Sequence, residues 1–189
     1  MKMVRLDFSG LTSGIRAIQV GQRDRPGLDV RAALGPRLPF RSDSVDEVFL
    51  DDGLAHVDDF VGTLEELWRI CLPGALIHLR LPHASSSWAA TRDPRHPHRF
   101  TLETFNYFDP RFKDPHCPTP ATFRVEQAEL RVTGARGDPS GLALARGPIA
   151  RFIERFANRN RGMQYRAERW FAGLFGGFEE MSIVLAVEK

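Results

Sequence analysis

At 189 residues the chain is long enough to bury a real core, and one domain is the expected organisation. A formal net charge of +2 is too small to argue for a nucleic-acid partner, although arginine far outnumbers lysine. Two cysteines, Cys71 and Cys117, make no disulfide framework and fit a reducing cytoplasm. No apolar window is long enough for a signal peptide or a membrane span, so no membrane partner is expected.

Residues 4–8 and 15–20 are short apolar runs rich in β-branched residues and read as strands. Residues 22–27 are polar and end on the turn pair Pro26-Gly27, and residues 28–34 fit neither helix nor strand cleanly. Leu38-Pro39-Phe40 leads through a polar turn, RSDS, into a buried strand over 45–50 that ends at Asp51-Asp52. Residues 58–72 predict a helix. Asp58 or Asp59 caps it, Phe60, Val61, Leu64, Leu67, Trp68 and Cys71 share one face, and Pro73-Gly74 stops it. A strand over 75–81 follows and ends at Pro82-His83. Residues 45–81 therefore form a strand–helix–strand crossover, which argues for a parallel sheet. Residues 85–87, 93–98 and 109–120 are loop-rich. Residues 123–133 alternate like a strand, 149–156 and 166–175 predict amphipathic helices, and 181–187 predict a closing strand.

The run from Pro36 to His83 resembles the class I S-adenosylmethionine-dependent methyltransferases of the type 11 group. The matching pieces are Leu38-Pro39-Phe40, Ser44-Val45-Asp46, His56-Val57, Glu66 with Arg69, and Pro73-Gly74-Ala75. The resemblance continues through Pro82-His83, Asp93-Pro94-Arg95-His96, the aromatic stretch 100–108 and the tail from Phe156 onward. It implies an α/β, Rossmann-like class I methyltransferase fold. The sheet is then mostly parallel with an antiparallel C-terminal strand, and the first helix is reduced, because only residues 9–14 separate the first two strands. The expected organisation is a single domain over 1–189. It comprises a Rossmann-like core over 1–82, a His/Pro-rich loop or lid over 83–122, and C-terminal strands and helices over 123–189.

The same resemblance implies S-adenosylmethionine as cofactor and places its pocket at Ser9, Gly10, Leu11, Gly21, Gln22, Ala33, Asp51 and Asp52. Where the family has a Gly-x-Gly turn after strand one, LDFSGL sets Ser9 and Leu11 at the glycine positions and keeps only Gly10. Where the family holds the ribose with an acid after strand two, this chain has Gly21, with Gln22 next. Where the family often receives the adenine amino group with an Asp, this chain has Ala33, and Asp29 stands four residues early. Each missing charged hydrogen bond weakens binding by about 1.5–3 kcal/mol. The expectation is an eroded cofactor clamp; the alternative is a different register or a different mode of cofactor binding.

The second informative stretch supplies His83, Asp93, His96 and His98 after the strand at 75–81, where open α/β sheets place ligands. Three readings stand. Asp93 and His96 brace a loop; His83, Asp93 and His96 form an acid/base set; or His83, Asp93, His96 and His98 hold a divalent metal, with His116 and Cys117 nearby. His56 either lines the pocket or is satisfied by backbone. Arg146, Arg151, Arg155, Arg159, Arg161, Arg166 and Arg169 form a solvated face paired with Glu154 and Glu168, or a docking surface for an anionic partner. Trp170, Phe171, Leu174, Phe175 and Phe178 are a capping core or a dimer contact. The leading functional expectation is a non-catalytic or repurposed binding or partner subunit, forming a homodimer or heteromer through the C-terminal aromatic helices. The alternatives are an active O- or N-methyltransferase of a small molecule, or an enzyme whose chemistry rests on the histidine segment.

Overall fold

A computed structural model of the chain describes residues 3–9, 16–22, 27–86, 98–112, 118–132, 148–175 and 177–189, with the side chains of 171–175 not among what it describes. Seven strands, β1 (Arg5–Asp7), β2 (Ile18–Gly21), β3 (Val30–Arg31), β4 (Val45–Asp51), β5 (Cys71–Pro82), β6 (Thr122–Arg131) and β7 (Glu180–Glu188), form one sheet. Its order is β3-β2-β1-β4-β5-β7-β6. The first five strands run parallel, and β7 inserts antiparallel between β5 and β6. The α/β class, the mainly parallel sheet and the antiparallel closing strand thus stand as expected. The reduced first helix was placed on residues 9–14, of which 10–14 lie outside the described residues.

Helix α1 (Phe60–Ile70) connects β4 to β5. Asp59, rather than Asp58, caps it: its Oδ1 accepts a 2.8 Å hydrogen bond from the Gly62 backbone N–H. The RSDS turn closes the other end, where the Asp43 and Ser44 N–H groups donate to the Arg69 and Ile70 carbonyls. The helix is shorter than the 58–72 stretch because Cys71 is already in β5, paired with Val45. Pro73-Gly74 falls inside β5 rather than before it. Gly74 at φ 78° lies where the β4–β5 register shifts, a backbone geometry that suits glycine. Residues 28–34, unassigned from pattern, carry the two-residue β3.

Alternation along β4, β5 and β7 gives the sheet two unlike faces. Val48, Leu50, Ile77, Leu79, Ile183 and Leu185 are buried together with Leu64, Leu67 and Ile70 of α1. Phe60 extends this core by meeting Phe100, Phe105 and Phe108 at ring-centroid distances of 5.4, 6.3 and 6.0 Å. Phe105 belongs to a short helix, α2 (Leu102–Asn106), within the stretch read as loop or lid. The opposite face carries half-buried polar side chains that bond across strands: Arg5–Glu47–His78, and Asp51–Arg80. Cys71 is fully buried, which pushes its thiol up to about 12.

Two further helices, α3 (Pro148–Ala157) and α4 (Arg161–Phe175), pack against the free edge of β6. Asn158 acts as a surrogate strand there. Its Oδ1 accepts from the Leu130 N–H and its Nδ2 donates to the Leu130 carbonyl, both at 2.7 Å. Glu154 accepts from the Val132 N–H, and Gln164 donates to the Ala128 carbonyl. Four orphan backbone groups of an edge strand are thereby satisfied by side chains.

Candidate functional site

The carboxyl ends of β1, β4 and β5 meet at one edge of the sheet, where open α/β folds bind ligands. Asp7 ends β1 fully buried. Its Oδ1 accepts from the Ser9 N–H at 2.7 Å and the Ser9 hydroxyl at 2.5 Å, and its Oδ2 accepts from the Gln19 amide at 2.9 Å. Charge-assisted bonds of this kind hold the carboxylate in place and leave it facing its own strand partners. Asp51, at the end of β4, forms a two-pronged pair with the Arg80 guanidinium, with Nε donating to Oδ1 at 2.6 Å and Nη2 donating to Oδ2. Arg80 is held above its usual range chiefly by that hydrogen bond. Asp52 adopts a left-handed φ of 61°, and its Oδ2 lies 3.8 Å from His56 Nε2.

A depression of about 280 Å³ opens on the polar face beside these groups, lined by Ser9, Phe49, Asp51, His78, Arg80 and Ser182 among others. The Phe49 and His78 rings stack in it at 4.7 Å. At the end of β2, Gly21 is half-buried with no side chain to offer, and Gln22 is exposed. Ala33 is exposed and apolar. Asp29, the acid nearest that position in sequence, accepts from the Gln19 N–H at 2.8 Å and returns its own N–H to the Gln19 carbonyl. It extends the β2–β3 pairing rather than facing a ligand.

His83 lies at the end of β5 and is buried. The Ser85 N–H and hydroxyl both reach its Nδ1, at 3.1 and 2.6 Å. That assigns the proton to Nε2, which donates to Glu168 Oε1 at 2.9 Å. The same Glu168 oxygen accepts from the Leu102 N–H. His83 thus sits in a Ser85–His83–Glu168 chain that ties β5, α2 and α4 together. His98 is held apart from it, its Nε2 donating to the Val57 carbonyl at 2.8 Å and its ring against Phe60. Among the described residues no group of three or more His, Cys, Asp or Glu side chains converges as a metal site requires.

Several expected site residues, namely Gly10, Leu11, Asp93 and His96, lie outside the described residues, as do His116, Cys117 and Arg146. Of the described members, Ser9 and Asp51 line the depression and His83 sits in its own buried chain, while Gly21, Gln22, Ala33, Asp52 and His98 join neither. Glu154 and Glu168, expected to pair with the arginines, turn inward to Val132 and to His83. The aromatic tail divides: Phe178 is core and Trp170 is surface. Pattern alone missed Asp7, although it stands inside the LDFSG stretch. It also missed Ser85, Gln19 and Arg80, whose roles depend on cross-strand or loop contacts.

Comparison with known proteins places this geometry. Residues 5–79 match the methyltransferase domain family. Over 90 residues the chain is 31% identical to demethylmenaquinone methyltransferase of Streptomyces avermitilis, an alignment covering 48% of this chain and 36% of that protein. The chain spans about a third of the length of the curated relatives it matches. Among solved structures, a chain of the complex between the Haloferax volcanii Trm112 methyltransferase activator and a methyltransferase aligns with TM-score 0.56 and 17% identity. That alignment covers 99% of this chain and 83% of that one. The [4+2]-cyclase SpnF aligns with TM-score 0.56 and 12% identity, over 98% of this chain and 75% of that one.

Proposed function

We infer that this chain, which has the fold of the class I S-adenosylmethionine-dependent methyltransferases, keeps the scaffold and has dismantled the cofactor clamp, serving as a non-catalytic or repurposed binding subunit. Family and fold suggest S-adenosylmethionine as the ligand class, and on this reading the described residues no longer grip it. One observation carries the reading. At the carboxyl ends of β1 and β4, and just before β3, the carboxylates are already engaged. Asp7 holds Ser9 and Gln19, Asp51 holds Arg80, and Asp29 holds the Gln19 backbone, while the ribose position is Gly21. A sugar hydroxyl arriving there would have to displace an existing charge-assisted bond. That one neighbour in the fold is named a cyclase is consistent with a scaffold that outlives its chemistry.

Isothermal titration of the full chain with S-adenosylmethionine and S-adenosylhomocysteine tests this. The expected result is no saturable heat at millimolar ligand, and saturable micromolar binding overturns the reading. Gly21→Asp restores an acceptor at the end of β2 and is expected to strengthen any residual binding by about tenfold to a hundredfold.

A second reading, an active methyltransferase of a small molecule, rests on the Ser85–His83–Glu168 chain. There the Ser85 hydroxyl would take the proton of an O or N acceptor as it passes its own to His83 Nδ1, with Glu168 holding the Nε2–H. Methylated product from the wild type, lost in His83→Ala with cofactor affinity unchanged, would favour it.

A further inference from the structure

Among the described residues, the inner faces of α3 and α4 bond to the rest of the molecule. Glu154 and Asn158 bond the edge of β6, Gln164 bonds Ala128, Tyr165 bonds Asn106, and Glu168 bonds His83. The outer face is different. An apolar groove of about 310 Å³ runs between the two helices, lined by Phe152, Ile153, Phe156, Met163 and Trp170 among others. Phe152, Phe156 and Trp170 are 71, 53 and 69% exposed, high values for large apolar side chains. Arg151, Arg155 and Arg159 stand at four-residue spacing immediately beside Phe152 and Phe156, and Arg166 and Arg169 flank Trp170. All five arginines are exposed and make no ion pair among the described residues. Both glutamates of these helices face inward, so the outer surface is aromatic and cationic at once.

We propose that the outer face of α3 and α4 is a peripheral docking site for an anionic phospholipid surface. Phe152, Phe156 and Trp170 enter the boundary between headgroups and acyl chains while the arginines hold the phosphates. An apolar stripe edged by arginines on a single helix is the composition of a segment that lies in a bilayer interface. A second copy of the chain fits less well. A two-fold contact would set this arginine ring against its own image, and like charges directly opposed oppose association. The expectation of no membrane partner came from the lack of a spanning stretch. Among the described residues no helix is long and apolar enough to cross a membrane, and that does not bear on a helix lying on the surface. The inference is independent of whether the cofactor binds.

Flotation of the full chain with vesicles tests it. The protein is expected to float with vesicles of equal parts phosphatidylcholine and phosphatidylglycerol, to stay behind with phosphatidylcholine alone, and to release as salt is raised. Phe152→Ser with Phe156→Ser lowers partitioning at least about tenfold. Each of Arg151→Gln, Arg155→Gln and Arg159→Gln lowers it by about fivefold, on anionic vesicles only. Tryptophan emission shifts to the blue on binding, and Trp170→Ala removes that shift. Far-ultraviolet circular dichroism melts check that each variant is folded, and the exposed arginine variants serve if the phenylalanine pair is not. Absence of flotation with anionic vesicles overturns the proposal, as does partitioning indifferent to these substitutions. A solution dimer that Trp170→Ala converts to monomer also overturns it, in favour of self-association.

Discussion

Glu66 shows how one carboxylate organises its surroundings. It is buried on α1, and its Oε1 accepts from the Leu38 N–H at 2.6 Å while both oxygens grip Arg69. Arg69 in turn donates to Ser42 and to the Phe40 carbonyl. The Glu-x-x-Arg pair and the Leu-Pro-Phe turn, noticed separately in the sequence, are therefore one device. Burial raises the Glu66 pKa, but the Arg69 and Leu38 hydrogen bonds outweigh it and leave the carboxyl below its ordinary range. Its stabilising contribution is accordingly complete above about pH 4.3 and is lost as pH falls through the depressed folded value. Asp109, held down by its hydrogen bond to Arg111, adds to the same acid limb. Glu66→Gln is expected to cost about 1–3 kcal/mol at neutral pH and to flatten the loss of stability below pH 4, measured by urea unfolding across a pH series. At this scale the resemblance marked Glu66 with Arg69, and Leu38-Pro39-Phe40, as motifs but gave neither their bonds nor the link between them. The sequence was silent where partners are distant: His83 and Glu168 are separated by 85 positions, and no spacing rule joins them.

Elements were more legible than contacts, because period reports burial. The alternation in β6 and β7 and the helical spacing of α1 came through, since each buries one face against a common core. The boundary at Cys71 did not, because a strand that begins directly at a helix end gives no turn signal. Nor did the sealing of β6 by α3 and α4, which depends on side chains reaching a backbone 28 residues away. Asn158→Ala leaves the Leu130 N–H and carbonyl without that partner. The expected cost is about 2 kcal/mol, read as a lower urea midpoint with unchanged slope, together with faster amide exchange at Leu130.

For the molecule as a whole, the parallel order of strands could be read from a single crossover, whereas the unlike faces of the sheet could not. Parallel strands usually read as apolar on both sides because helices cover both. Here Glu47, His78, Asp51 and Arg80 interrupt that pattern, and in sequence they look like ordinary polar residues of an antiparallel strand. Their cross-strand pairs keep the second face polar, half-buried and internally satisfied.

A sheet with one polar, half-buried face gives up less apolar surface to water when it melts. For 189 residues, ordinary globular averages give a heat-capacity increment on unfolding of about 2.3–2.8 kcal/mol/K. Scanning calorimetry is expected to return a value below that band, since newly exposed polar groups subtract from the increment. The stability curve should then be unusually flat with temperature.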